Sequence, residues 1–217
     1  MNDPSVTLYY IHDPMCSWCW GFRATWSQVQ QALTGKVNIR YVLGGLAADS
    51  DQPMPESMQQ SIRSNWQRIQ QQIPGTEFNY DFWSQCQPRR STYPACRAVI
   101  AASMQAAQAE SKMLFAIQQA YYLHAKNPSD IDVLIQIARD IGLDGEAFAA
   151  DINSEACIAI LEKDLQLSRD LYVSSFPSLL LSHDNVLSNI QIDYTSSENI
   201  LNQIFQKLND CSRLSCT

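Results

Sequence analysis

The spacing of apolar residues changes period twice within the first 45 positions. Val6, Thr7, Leu8, Tyr9, Tyr10 and Ile11 form a β-rich run that ends at His12 and Asp13-Pro14, as a buried strand stopped by a turn does. From Cys16 onward Cys19, Phe22, Trp26, Val29 and Leu33 recur at steps of three and four, which predicts a helix with one apolar face, closed by Gly35. Val37 to Leu43 alternates apolar with polar residues up to Gly44-Gly45 and reads as a second strand. Strand, helix and strand with short joints make a βαβ unit, whose strands run parallel.

After residue 53 the β-branched runs stop, and Gln and Ala dominate. Helices are expected over Ser57 to Gln72, Pro94 to Ala109, Met113 to His124, Asp144 to Ile152 and Glu155 to Leu171. Ser129-Asp130-Ile131-Asp132 resembles a capping sequence, and Ile131, Leu134, Ile135, Ala138 and Ile141 form a helical stripe ended by Gly142. β character returns at Ser178 to Ser182, followed by a turn at His183-Asp184-Asn185 and a pairing strand over Val186 to Ile190. A last helix carries Ile200, Leu201, Ile204, Phe205 and Leu208 on one face. The outline is βαβ, a helical block, then ββα. Residues 1–52 and 172–217 are expected to form one core, with 53–171 inserted as a helical domain.

Composition narrows the function. A net charge of -7 argues against nucleic-acid binding, which needs a concentrated basic surface. No run of about 18 apolar residues suggests a membrane span. The first residues lack a basic stretch followed by an apolar one, so they do not read as a secretory signal, and with Met1 as the natural start a cytoplasmic protein is expected. Seven cysteines is an odd number, which rules out a fully paired framework within one chain. At short spacings in a reducing compartment, cysteines point to metal or redox chemistry.

Asp13-Pro14-Met15-Cys16-Ser17-Trp18-Cys19-Trp20 lies where the first strand hands over to the first helix. Cys16 falls at the helix N-terminus, where unpaired N–H groups and the helix dipole favour a negative sulfur. The thiolate is the reactive species, so Cys16 is the expected attacking group. Cys19, one turn later on the apolar face, is the expected resolving thiol. Trp18 and Trp20 are expected to form an apolar rim for substrate. A C-x-x-C alone is common in zinc sites, but between a strand and an amphipathic helix it favours redox work. Phe176-Pro177, directly before the third strand, is a second landmark. Few X-Pro bonds are cis, so the base rate alone makes Pro177 trans. Its position resembles the one where thioredoxin-like folds place a cis-proline against the active-site pair, and that resemblance makes cis the expectation.

These residues, with Gly21 and Ser175-Phe176-Pro177-Ser178, resemble the cytoplasmic DsbA-like oxidoreductases of the FrnE type. Ser91-Thr92-Tyr93-Pro94-Ala95-Cys96-Arg97-Ala98 also looks like the start of that family's inserted helical domain. The resemblance implies an α/β, thioredoxin-like fold split by a large helical insertion, and exchange of protein disulfides through Cys16 and Cys19. Trp18, Phe176 and Pro177 are the expected substrate contacts and thiol- or disulfide-containing proteins the expected partners, and no bound organic cofactor or obligatory metal is indicated. The family often has proline after the first cysteine, where this chain has Ser17, so its reduction potential does not carry over.

Other residues bear on the picture. Cys211 and Cys216 form a C-x4-C pair in what reads as a polar tail, and could act as auxiliary thiols or complete a zinc site with Cys16 and Cys19. Cys96 and Cys157 read as buried small hydrophobes, while Cys86 could be accessible or pair with Cys96. His12 could stabilise a Cys16 thiolate or merely end its strand, and Asp13 is expected to make turn hydrogen bonds. Arg89, Arg90 and Arg97 could grip an anionic molecule such as glutathione or be solvated surface. Two other functions compete with disulfide exchange. One is a kappa-type glutathione transferase or isomerase, which generally has serine in place of the first cysteine. The other is a non-catalytic thiol- or zinc-bearing binding module.

Overall fold

A computed structural model describes the backbone of residues 6–184 and 186–214, with side chains through residue 209. Its sheet has four strands, β1 (Val6–His12), β2 (Asn38–Leu43), β3 (Ser178–His183) and β4 (Val186–Ile190), in the order β2-β1-β3-β4. β1 and β2 are parallel, joined by α1 (Ser17–Leu33), while β3 runs antiparallel to both β1 and β4. The architecture is the expected α/β one.

Alternation along the strands divides the core between the two faces of the sheet. Leu8, Tyr10, Leu179 and Leu181 face one side and pack against Phe22, Trp26, Val29 and Leu33 of α1. Ile200 and Ile204 of α9 (Ser197–Leu214) complete that layer. Ile11, Val42 and Leu180 face the other side, with Leu167, Leu171 and Phe176 over them.

Between β2 and β3 the chain forms α2 (Glu56–Gln72), the short α3 (Phe82–Gln85), α4 (Tyr93–Gln105), α5 (Ala109–Tyr122), α6 (Ile131–Asp140), α7 (Gly145–Asp151) and α8 (Glu155–Asp170). Their shared core holds Trp66, Phe82, Met113, Tyr122, Leu134 and Phe148, and it also takes in Met15, Trp20 and Leu43 from the βαβ unit. The segment around Cys16 is therefore packed from both sides.

Three expectations need correction. The helix expected over Pro94 to Ala109 stops at Gln105, because Ala106 is extended and the chain folds back so that α5 packs on α4. The alanine-rich sequence has no breaker there, and tertiary packing overrides helix propensity. Asp130 does stand at the start of α6, but its carboxylate does not cap the helix. It pairs instead with Arg89. The last helix runs through Cys211 to Leu214, so Cys211 lies in α9 rather than in a tail beyond it.

Candidate active site

Cys16 is the N-cap of α1, in an extended conformation. Its N–H donates to the Asp13 carbonyl at 3.0 Å. Its sulfur accepts the Cys19 N–H at 3.4 Å, one of the unpaired donors that every helix start presents. The same sulfur donates its proton to the Phe176 carbonyl, also at 3.4 Å. Both cysteines are free thiols. Cys16 is 5% exposed and Cys19 only 1%, so Cys16 is the more accessible of the two, as the helical spacing predicts. Burial pushes the Cys19 thiol far above its ordinary range, and the neighbouring Cys16 sulfur adds to the shift.

The loop facing the pair is held by a close approach. The Phe176–Pro177 bond is cis, as expected from its place before β3. The Phe176 ring lies over Gly44, where a Cβ would come within 2.1 Å of ring atoms, so only glycine fits. Gly44 is itself fixed by its N–H donating to the His12 carbonyl at 2.7 Å. Gly44, directly after β2, thus lets the Phe176 ring pack against the backbone at the end of that strand.

Asp13 is fully buried and holds more than its own turn. One carboxylate oxygen accepts the Met15 N–H at 2.7 Å, and the other accepts the Leu46 N–H at 2.7 Å and the Thr92 hydroxyl at 2.6 Å. His12 does not reach the sulfur by any hydrogen bond. Its ring stacks on Tyr10 at 5.0 Å, both ring nitrogens lack partners among the described residues, and burial drives its pKa down to about 3. It is a neutral core residue.

Cys16 opens into a cleft of about 430 Å³. Its apolar wall includes Met15, Trp18, Met58, Ile62, Tyr121 and Phe176, and among the described residues its lining includes Arg89 and Arg90 but no carboxylate. This volume suits a small ligand or a short segment of peptide.

Residues 9–203 match a family model described as Thioredoxin. The chain belongs to that family. Among curated proteins it is 28% identical over 180 residues to the ClpXP adapter protein SpxH of Bacillus subtilis, covering 80% of this chain and 57% of the relative. It is 25% identical over 185 residues to the protein of that name from Halalkalibacterium halodurans, covering 83% of this chain and 60% of the relative. The thioredoxin chain thus spans less than two thirds of the length of these relatives. Among solved structures it superposes with TM-score 0.83 on a Nitrosomonas europaea protein provisionally described as a protein disulfide isomerase, at 23% identity, covering 95% of this chain and 98% of the other. The cytosolic disulfide reductase DsbM of Pseudomonas aeruginosa gives 0.74 at 24% identity, covering 94% and 98%. Its complex with GSH gives 0.72 at 24% identity, covering 94% and 99%. The fold is the one these DsbA-like structures share.

On this thioredoxin scaffold the candidate residues sort by position. Cys16, Cys19, Phe176 and Pro177 come together from opposite ends of the chain. Trp18 lies on the cleft wall with the Arg68 guanidinium over its ring and Tyr194 beside it. Trp20, expected on the rim, is 1% exposed. It stacks on Tyr122 and donates its indole N–H to the Glu77 carbonyl, so it ties α1 to the helical block.

The three arginines have different surroundings. Arg97 makes a two-pronged pair with Asp49, and Arg89 pairs with Asp130. Arg90 has no carboxylate at ion-pair distance among the described residues, and it lines the cleft. Cys96 and Cys157 are buried, and Cys86 is free with its S–H donating to the Ala125 carbonyl at 3.1 Å, so it does not pair with Cys96. The Cys211 side chain and all of Cys216 lie outside the described residues.

The sequence reading missed the reach of Asp13, the Gly44–Phe176 contact and the cleft wall from α2 and α5. Only Asp13-Pro14 carried a local signal, that of a side chain folding back onto a turn.

Proposed function

We propose that this protein is a thiol–disulfide oxidoreductase in which Cys16 attacks and Cys19 resolves. The observation that carries the reading is the Cys16 sulfur itself, placed at the first turn of α1 between the Phe176 carbonyl and an open cleft, with a buried thiol one turn away. The Cys16 thiolate attacks a substrate disulfide, forms a mixed disulfide and expels one substrate thiolate. Cys19 loses its proton and attacks the Cys16 sulfur, which releases the second substrate thiol and leaves a Cys16–Cys19 disulfide. A negative Cys16 opposes ionisation of Cys19, and the mixed disulfide removes that charge, so the resolving step follows the attack in order.

Trp18, Phe176 and Pro177 hold the substrate beside the sulfur. The reading includes a cytoplasmic protein of the FrnE type, reducing or isomerising disulfides of protein substrates. Residues 53–171 serve as an inserted helical domain on a core of 1–52 and 172–217, and Cys211 and Cys216 serve as auxiliary thiols. Two thiols of a small donor return the pair to its dithiol state and leave joined as the donor's own disulfide. Glutathione suits this step, because its carboxylates match Arg90, which among the described residues has no ion-pair partner and lines a cleft with no acidic side chain.

Equilibration in glutathione buffers, followed by alkylation and mass spectrometry, tests the reading. A potential near roughly -270 mV supports a reductant and one near about -120 mV an oxidant. Cys19→Ser is expected to accumulate a mixed disulfide at Cys16, and Cys16→Ser to form none. Absence of a Cys16–Cys19 disulfide at every poise sinks the proposal.

The name of the curated relatives favours one second reading, an adapter that presents a bound protein to a protease. A double variant with serine at positions 16 and 19 separates the two. Partner binding that survives in it, with no exchange activity in the parent protein, favours the adapter.

A further inference from the structure

We propose that the molecule carries a second substrate subsite, a cleft that shares the Phe176 turn as its border with the Cys16 cleft and takes an acidic side chain of a protein substrate at Arg169. The proposal deepens the exchange reading above and rests on it for the identity of the occupant.

The second cleft, of about 310 Å³, gathers separate parts of the chain. Tyr93 comes from the start of α4, Leu165 and Arg169 from the end of α8, and Gly44 and Gly45 from the connection after β2. Gly45 has a left-handed backbone, φ +60°, and a Cβ there would come within 2.6 Å of Tyr93 and Leu165. Only bare backbone fits between those side chains. Leu46, Ser174 and Phe176 line this cleft and the Cys16 cleft alike. The two clefts are therefore neighbours across one border, and that border holds the carbonyl that accepts the Cys16 S–H.

The donors decide what fits. Arg169 donates from Nε and Nη2 to one Gln166 oxygen, at 3.2 and 2.7 Å. It has no carboxylate at ion-pair distance among the described residues. The Gln166 contacts use only part of the guanidinium fork and leave its remaining N–H groups for a ligand. Tyr93 adds a hydroxyl to the same cleft, and burial raises its phenol, which keeps the proton in place as a further donor. Among the described residues no carboxylate lines the cleft. A ligand carboxylate is the acceptor that matches a guanidinium fork. In a chain of net charge -7, each of the two adjoining clefts thus presents an arginine without an acidic partner, Arg90 in one and Arg169 in the other.

Continuity with the Cys16 cleft identifies the occupant as a polypeptide. A substrate whose cysteine reacts at Cys16 extends across the shared border. At about 3.3–3.6 Å per extended residue, roughly three or four residues carry it past a phenylalanine ring. Glutathione has a single residue on each side of its cysteine and ends within the first cleft. The second cleft therefore separates protein substrates from the small thiols that return the pair to its dithiol state.

The test uses the reduced full chain and end-blocked peptides of neutral residues, each holding its cysteine as a mixed disulfide with 2-mercaptoethanol. A glutamate, or a glutamine as its control, stands about three or four residues before the cysteine in one series and after it in the other. The rate of thiol loss is compared with that given by glutathione disulfide. In one series the glutamate peptide is expected to react about three- to fivefold faster than its control, as an exposed ion pair allows. Arg169→Gln should abolish that preference and lower the ratio of peptide to glutathione-disulfide rates by the same factor. Lys163→Gln, which removes an exposed cation from α8 outside the cleft, should keep both. The proposal is overturned by no preference in either series, by a preference or ratio unmoved in Arg169→Gln, or by an equal loss in Lys163→Gln.

Peptides with serine in place of cysteine give a readout that needs no exchange. The dissociation constant of the preferred glutamate peptide, read by fluorescence anisotropy, should rise about three- to fivefold in Arg169→Gln. Equal constants in parent and variant overturn the proposal. A chain that exchanges no disulfide yet shows this rise sinks the exchange reading alone and leaves the subsite standing.

Discussion

Both ring nitrogens of His12 are buried without partners among the described residues, and the ring lies flat against Tyr10 and edge-on to Tyr41. An imidazole so placed is tolerated only while neutral, which is why its pKa falls from 6.5 to about 3. As pH falls, the unfolded chain takes up this proton before the folded one, so stability is intact above pH 6.5 and drains away down to about pH 3. At pH 4.5 the loss from this one group is about 2–3 kcal/mol. His12→Phe keeps the stack and removes the titration, so its melting temperature should depend less steeply on pH between 6.5 and 4.5. Equal slopes for the two proteins would remove the assignment. Residue-scale reading from the sequence was uneven for a physical reason. Cys16 and Cys19 announce themselves by spacing and by their place between strand and helix. Whether His12 is aimed at a sulfur or at a ring, or Trp20 at solvent or at Tyr122, depends on what the remote helical block brings against it.

Elements were legible where one face repeats, as in α1, α2, α6 and α8, and blurred where the sequence lacks a breaker. The join between α4 and α5 is such a place, since Ala106 leaves the helix only because α5 has α4 to pack against. Asp130 shows the same limit in another form, for a residue well suited to capping is drawn off by an arginine 41 positions away. Gly44 carries the element-scale consequence for the site, because it lets the end of β2 pass beneath Phe176. Gly44→Ala forces a methyl group into that ring, and overpacking of this kind costs about 1–3 kcal/mol. The variant should melt lower and move Phe176 off Cys16, so disulfide exchange should fall by more than the loss of folded protein explains. Full specific activity in the folded fraction would show that the loop accommodates the methyl without moving.

The whole molecule is tied together by aromatic packing. Trp66 is fully buried, with Phe78 at 4.8 Å, Trp83 at 5.0 Å and Tyr121 at 5.7 Å between ring centroids. Tyr121 also lines the cleft over Cys16. Trp66→Ala should cost about 3–5 kcal/mol. Through Tyr121 it should also weaken substrate binding more than it slows the chemical step, seen as a rise in KM with kcat largely kept. A loss of stability with KM unchanged would confine Trp66 to the core. At this scale the sequence indicated the parallel βαβ unit and the closing hairpin, because their strands are neighbours in the chain. It did not reveal that β3 lies beside β1 in antiparallel register, a pairing made across the whole helical block.

That pairing has a consequence for the newborn chain. Cys16 and Phe176 are 160 residues apart, and a ribosome adding roughly 5–20 residues per second takes about 8–32 s to pass from one to the other. For that interval the thiols are already made while the carbonyl and ring that will face them are not. A polypeptide released early, or paused inside the helical block, carries two cysteines with the ordinary reactivity of an open chain. Chemical selectivity is thus acquired late in synthesis, when the strand following Pro177 docks beside the first one made.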